Sequence, residues 1–328
     1  MTRAISSLKS LEQPIRPVSM YPRIDLARVP RVCAHRPAPD LEVLFPRDNL
    51  LRREAFGGKT AHPAMMHFGL ALGILELYTE PGAVVLDPFG GVGTTALAAM
   101  AAGRSAILME IEPHWAEVAT GFIHKLEGRK LYEALEYRRV VPRAQLRWVP
   151  TPALVKRDCT HTASAVVHNI DARDIPRGFV PNQVQAVITS PPYLDTFGAP
   201  EKPKILCGST QHSAYTMNHA SLNLARERNT HFFLQALAQV YSAALHVLEP
   251  GGVFIVVTKD VIRKGLRQPF ALRNILMLEA LGLELRDWWR RECIPSLFAN
   301  VQRVQYPNSA RVDHEDVLVF QKPLAVIA

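Results

Sequence analysis

Cysteine is scarce in this 328-residue chain, and the four present, Cys33, Cys159, Cys207 and Cys293, lie far apart. No C-x-x-C pair occurs, so neither a structural zinc site nor a disulfide framework is expected, and a reducing compartment fits. Long apolar runs are missing as well. Nothing approaches the ~20 consecutive apolar residues that a membrane span needs, and the N-terminus has no signal-peptide apolar region. A cytoplasmic protein with no membrane partner is expected. Internal repeats are absent. Acidic residues are outnumbered, 30 Asp and Glu against 38 Lys and Arg, which gives a net charge of +8 and a pI of about 9.5. That balance suits a polyanionic partner, and equally an ordinary basic enzyme. With 48% hydrophobic and 21% charged residues, the chain can bury one large core or two.

The stretch that organises the chain runs from Ala83 to Met100, AVVLDPFGGVGTTALAAM. Ala83 to Leu86 reads as a short buried strand, and Thr94 to Ala102 as a helix of good formers. Between them lie Asp87, Pro88, Phe89, Gly90, Gly91, Val92 and Gly93. A strand, a tight glycine-rich turn and a helix form the first unit of a nucleotide-binding α/β sheet, with Asp87 at the carboxyl end where such sheets bind ligands. The turn lacks the lysine of a phosphate-binding loop. A carboxylate there repels a pyrophosphate and suits a cation. S-adenosyl-L-methionine (SAM), which carries an ammonium and a sulfonium but no phosphate, fits better than a dinucleotide, although a dinucleotide fold with a degenerate turn stays open.

About 100 residues downstream a second apolar strand, Val184 to Thr189, runs directly into Ser190-Pro191-Pro192-Tyr193. Two prolines stiffen the backbone at that point and remove two donors. Together with Asp87-Pro88-Phe89-Gly90-Gly91-Val92-Gly93-Thr94-Thr95, this resembles the exocyclic-amino DNA methyltransferases, and the Ser-Pro-Pro-Tyr form resembles the N4-cytosine group. Adenine-N6 enzymes more often carry Asp or Asn at the position of Ser190. The resemblance covers about residues 56 to 323 and has the gamma-type order, cofactor motif first and catalytic motif second. It implies a Rossmann-like SAM-dependent methyltransferase fold: a seven-stranded, mostly parallel sheet with helices on both faces.

The resemblance also assigns roles. Pro88, Phe89, Gly91, Gly93 and Thr94 join Asp87 around the cofactor. Lys59, Thr60 and His62, before a helix read over Ala64 to Tyr78, are candidates for its methionine end. A strand over Ser105 to Glu110 ends in an acid about 20 residues past the glycines, where ribose hydroxyls are held. Glu110 is preferred, with Glu112 two residues on as the alternative. Asp171, at the end of a strand over Ala165 to Ile170, is preferred to Asp174 beside the adenine. Further elements are a helix over Pro113 to Leu126, a helix over His231 to Leu248, a Pro250-Gly251-Gly252 turn, a strand over Val253 to Thr258, a helix over Phe270 to Ala280, and strands over Leu283 to Trp289 and Asp316 to Gln321.

Residues 1–53, rich in Pro and Arg, read as an extended arm, and residues 54–323 as the methyltransferase domain. Three basic segments, 138–157, 194–230 and 290–311, are the candidates for target recognition, since no separate recognition domain follows the last strand. The expected reaction is methylation of cytosine N4 in double-stranded DNA. The base must first leave the stack, which costs a few kcal/mol. The Ser190 hydroxyl and Pro191 carbonyl accept hydrogen bonds from the amine, Tyr193 stacks on the base, and the amine takes the methyl without a covalent enzyme intermediate. Adenine N6 is the rival target, with RNA methylation and a non-catalytic DNA-binding role further alternatives. A cognate restriction endonuclease and a solitary enzyme fit the sequence equally.

Overall fold

The protein is described by a computed structural model, which describes residues 41–44, 56, 65–126, 163–192, 223–224, 227, 229–263, 266–293, 304 and 312–324. In chain order its elements begin with β1 (Leu41–Leu44), α1 (Phe68–Tyr78), β2 (Val84–Asp87), α2 (Thr94–Ala101), β3 (Ser105–Met109), α3 (Pro113–Leu126) and β4 (Ala165–His168). A 3-10 turn (Ala172–Asp174), the short α4 (Ile175–Gly178), β5 (Val184–Thr189), α5 (Thr230–Val247) and β6 (Leu248–Thr258) follow. The chain then forms β7 (Val261–Arg263), β8 (Leu266–Gln268), α6 (Phe270–Ala280), β9 (Glu284–Glu292) and β10 (His314–Gln321).

Eight strands form one sheet in the order β1-β9-β10-β6-β5-β2-β3-β4. All its neighbours are parallel except β10, which runs antiparallel to both β6 and β9. The expected seven strands are all present, and the predicted closing pair is β9 with β10. The eighth strand, β1, comes from the segment read as an irregular arm. It pairs Leu41–Leu44 with Trp289–Glu292, so β9 runs three residues past the expected end at Trp289. A partner on either side supplies the ladder hydrogen bonds that the β9 sequence alone does not promise.

The sheet core follows from the period of two along each strand. Val85, Ala186, Ile188, Ile255, Val257, Val317 and Val319 face one cluster with α1, α2 and α3. Val84, Leu86, Val187, Phe254, Val256, Leu318 and Phe320 face the other with α5 and α6. Both faces are therefore apolar, which is why the strands read as continuous apolar runs rather than alternating ones. Burying each Val, Leu, Ile or Phe side chain among these contributes about 1.5–3 kcal/mol.

One expected turn is a strand. Pro250-Gly251-Gly252 lies inside β6, where Gly251 N donates to the Lys322 carbonyl and Lys322 N donates to the Gly252 carbonyl, both at 2.9 Å. A register shift between Val184 and Ala186 on β5 accommodates it, and Gly251 has φ 79°. β7 and β8, between β6 and α6, pair antiparallel as a separate two-stranded sheet. Residues 1–40, the 138–157 segment, and most of 194–230 and 290–311 lie outside the described residues. Within the last of these, Arg290 and Arg291 are strand residues paired with Asp316 at 3.0 Å and Glu315 at 2.8 Å, so neither is an uncompensated loop cation. Among the described residues, no helix is long and apolar enough to cross a membrane.

Candidate functional site

The strand order reverses at β2, with β3 and β4 on one side and β5 and β6 on the other. Ligands bind outside the carboxyl ends of the strands at such a switch point. A cleft lies there, with about 880 Å³ of empty space, part of it open to solvent. Asp87, Pro88, Phe89, Gly91, Thr94, Glu110, Asp171, Ser190 and Pro192 all line it. Two motifs about 100 residues apart in the chain thus meet on one cavity, because β2 and β5 are neighbours.

The glycine-rich turn is held by its backbone. Gly90 N donates to the Met109 carbonyl at 2.8 Å and Gly93 N to the Gly90 carbonyl at 2.9 Å. Gly93 is the N-cap of α2 with φ 87° and makes no side-chain cap bond. A Cβ at Gly90 would meet Leu108 Cβ at 2.9 Å, and one at Gly93 would meet Ala119 Cβ at 3.2 Å. Contact with Leu108 favours glycine at 90, and the left-handed backbone favours it at 93, where a Cβ would also be tight against Ala119.

Asp87 is only 3% exposed. Its Oδ1 accepts from Phe89 N at 3.0 Å and from Thr189 Oγ1 at 2.8 Å, and its Oδ2 from Thr95 Oγ1 at 2.5 Å. Burial raises its pKa, and the three hydrogen bonds oppose that rise. The sequence reading treated Asp87 as a counter-charge for a bound cation. The geometry adds a second task, since this carboxylate joins the turn, the start of α2 and the end of β5.

Glu110 faces the same turn. Its Oε2 accepts from Gly91 N at 2.7 Å and its Oε1 from Glu112 N at 2.9 Å. Burial pushes its pKa up to about 7, against the two backbone donors and with a further rise from the charges of Glu112 and Asp87. Glu112 points elsewhere: it is 4% exposed, and its Oε1 accepts from Asn223 Nδ2 at 2.8 Å. Its carbonyl takes the first turn of α3, from Trp115 N and Ala116 N. Asp171 caps the 3-10 turn, accepting from Arg173 N at 2.9 Å, and is paired with the Arg173 guanidinium. Burial pushes its pKa up, but the hydrogen bonds and charge of Arg173 outweigh this and leave it below the usual value. Asp174, the alternative, pairs with the exposed Arg177 at 2.9 Å and is not part of the cleft wall.

Ser190 and Pro192 are half-buried and Pro191 is buried. They leave β5 immediately after Thr189, whose hydroxyl is bound to Asp87. Tyr193, Lys59, Thr60 and His62 lie outside the described residues. The sequence reading missed Met65, Met66, Trp115, Asn223 and Leu224, which also line the cleft. Met65 and Met66 lie within four residues of His62 and Trp115 lies three residues past Glu112, so nearness in the chain could have flagged them. Asn223 had no such signal, since its partner Glu112 is 111 residues away. Among the described residues, no group of His, Cys, Asp and Glu could hold a metal ion.

Residues 41–121 match the DNA methylase family model N6_N4_Mtase. The chain is 31% identical over 88 residues to the Type II methyltransferase M.ScaI of Streptomyces caespitosus, covering 27% of this chain and 29% of that one. It spans less than a third of the length of the curated relatives it matches. Among solved structures, TrmN from Thermus thermophilus aligns over 83% of this chain and 52% of its own, with 17% identity and a TM-score of 0.44. A SAM-dependent methyltransferase from Methanosarcina mazei aligns over 76% of this chain and 97% of its own, with 11% identity and a TM-score of 0.43.

The donor set of the cleft fits S-adenosyl-L-methionine. The cleft offers a glycine-rich wall without a lysine, two carboxylates at adjacent strand ends, and an apolar lining from Met65, Met66, Ile111 and Ile170. An uncharged nucleoside and a cationic tail suit those walls better than a pyrophosphate does.

Proposed function

We propose that this chain, which over residues 41–121 matches a DNA methylase family model, is an exocyclic-amino DNA methyltransferase that transfers a methyl group from SAM to cytosine N4 in DNA. The observation that carries the reading is the shared cleft: Ser190 and Pro192 line the same cavity as Asp87, Gly91 and Glu110. Acceptor and cofactor would meet there without a further domain.

The bound cofactor supplies an electrophilic methyl group. The chain's own residues do the rest. An exocyclic amine is a poor nucleophile because its lone pair is delocalised into the ring. The Ser190 hydroxyl and the Pro191 carbonyl would accept its two N–H bonds and favour a pyramidal nitrogen. Pro191 and Pro192 hold that carbonyl in a stiff backbone, and Thr189, bound to Asp87, fixes the strand end that aims it. Orientation of this kind supplies much of the rate in a bimolecular transfer. Asp87 and the 90–93 turn would hold the methionine end with Lys59, Thr60 and His62, Glu110 the ribose hydroxyls, and Asp171 the adenine edge. Tyr193 would stack on the extruded base, a contact of about 1–3 kcal/mol.

Adenine N6 is the second reading, because the matching family takes in both N6 and N4 enzymes. Mass spectrometry of nucleosides from DNA incubated with the protein and SAM separates the two. N4-methylcytosine is expected. N6-methyladenine would keep the mechanism and overturn the base assignment. Intact SAM binding with neither product, on several genomic DNAs, would remove DNA as the substrate.

A further inference from the structure

We propose that Asp87, Glu110 and Glu112 make the cleft select its ligand by charge, so that it holds the sulfonium cofactor and sheds the neutral thioether left after methyl transfer. This rests on the SAM reading above and adds a way of clearing product from the same site. The three carboxylates line one wall, and the donors that hold them are all neutral. Asp87 accepts from one backbone N–H and two hydroxyls. Glu110 accepts from two backbone N–H groups, and Glu112 from the Asn223 amide. Among the described residues, no Lys, Arg or His lines the cleft. The fourth acid there, Asp171, differs because Arg173 balances it.

Such an arrangement is costly until a cation arrives. Asp87 and Glu112 are buried, and buried charges are ordinarily paired. Like charges in one site also favour the neutral form of each other. Glu110 shows both effects: burial is the larger cause of its raised pKa, and the charges of Glu112 and Asp87 add to it. A ligand with a positive centre relieves this repulsion, and a neutral ligand of the same shape does not. The Asn223 bond keeps the Glu112 carboxylate in the wall, 111 residues away in the chain.

SAM and its product S-adenosylhomocysteine share the adenine, the ribose and the zwitterionic amino-acid end. They differ by one methyl group and one positive charge. On transfer, the amine lone pair forms the new N–C bond and the C–S bonding pair returns to sulfur. The amine then releases one proton to water. The wall therefore faces a cation before the reaction and a neutral molecule after it. A cation at the amino-acid end would meet a carboxylate that both ligands carry, and so would leave their ratio untouched. The ribose hydroxyls proposed for Glu110 are likewise shared. Glu112, which is turned toward Asn223, is the cleanest probe of charge alone.

The test is calorimetry on the full chain with SAM, S-adenosylhomocysteine and sinefungin, in which an ammonium replaces the sulfonium. At about pH 8 Glu110 is ionised, since its carboxyl is pushed up only to about 7. The wild type should bind SAM and sinefungin at least about tenfold more tightly than S-adenosylhomocysteine. Glu112→Gln keeps an acceptor for Asn223 and removes only the charge. It should lower the SAM preference about threefold or more, with S-adenosylhomocysteine affinity unchanged within about twofold. Glu110→Gln should lower the same ratio while weakening both ligands. Structural damage alone would weaken all three ligands alike and keep the ratio. Equal or tighter wild-type binding of S-adenosylhomocysteine, or a wild-type ratio in both variants, overturns the charge proposal and leaves the SAM reading standing. Failure of the wild type to bind any of the three overturns the SAM reading and the proposal with it.

Discussion

Thr189 Oγ1 donates to Asp87 Oδ1 at 2.8 Å, joining the last residues of two adjacent parallel strands that are 102 positions apart in the chain. One bond thus links the turn that would hold the cofactor to the backbone that carries Ser190. The bond is buried, Thr189 being 0% and Asp87 3% exposed, so water does not compete for it.

Asp87→Ala strands three donors, Phe89 N, Thr95 Oγ1 and Thr189 Oγ1. Leaving a buried donor unsatisfied costs about 1–3 kcal/mol. Urea unfolding should show a loss of about 2–4 kcal/mol, and calorimetry should show loss of SAM binding. Wild-type stability would mean that the carboxylate serves the cofactor only.

Glu110 should make both stability and cofactor affinity depend on pH. Burial pushes its carboxyl up to about 7 from an ordinary value of 4.5. A folded-state value raised in this way gives stability that is complete below pH 4.5 and is lost as pH rises through about 7. A ribose hydroxyl donates best to the ionised form, so SAM affinity should instead rise through the same pH. Glu110→Gln should flatten both curves. A pH-independent wild-type affinity would detach Glu110 from the ribose.

Ser190→Ala removes the hydroxyl proposed to accept from the amine. With about 1.4–2.8 kcal/mol lost from the transition state, kcat should fall about 10- to 100-fold. SAM affinity, measured separately by calorimetry, should not change. Parallel losses in both would make Ser190 a structural residue of the turn.

Asn223→Ala leaves the buried Glu112 carboxylate without the donor seen at 2.8 Å. Hydrogen bonds to charged groups contribute about 1.5–3 kcal/mol. Both residues line the cleft, so SAM affinity should fall at least about tenfold. An unchanged dissociation constant would limit this bond to seating α3.

Gly93→Ala tests the turn directly. A non-glycine residue with φ near 87° carries about 1–2 kcal/mol of strain, and its Cβ would lie 3.2 Å from Ala119 Cβ. Thermal unfolding should show the loss. An unchanged transition would mean that the turn can adopt another backbone path.

Much of this architecture was legible in the chain itself. The apolar runs of β2 and β5, the helix formers of α2, the acid closing β3 and the Ser190–Tyr193 motif are local patterns, each written within about twenty consecutive residues. Phe270–Ala280 and Pro113–Leu126 are helices over the expected limits for the same reason. What tertiary structure decided is non-local. β1 is a strand because Trp289–Glu292 offers an edge to pair with, and Pro250–Gly252 is strand rather than turn because Lys322 completes its ladder. The β7–β8 pair stands because Asp260 and His314 hold Arg267. Of two carboxylates two residues apart, Glu110 faces the turn while Glu112 is turned toward Asn223. A sequence lists donors and acceptors, but which pairs they form depends on segments a hundred residues distant arriving at the same place.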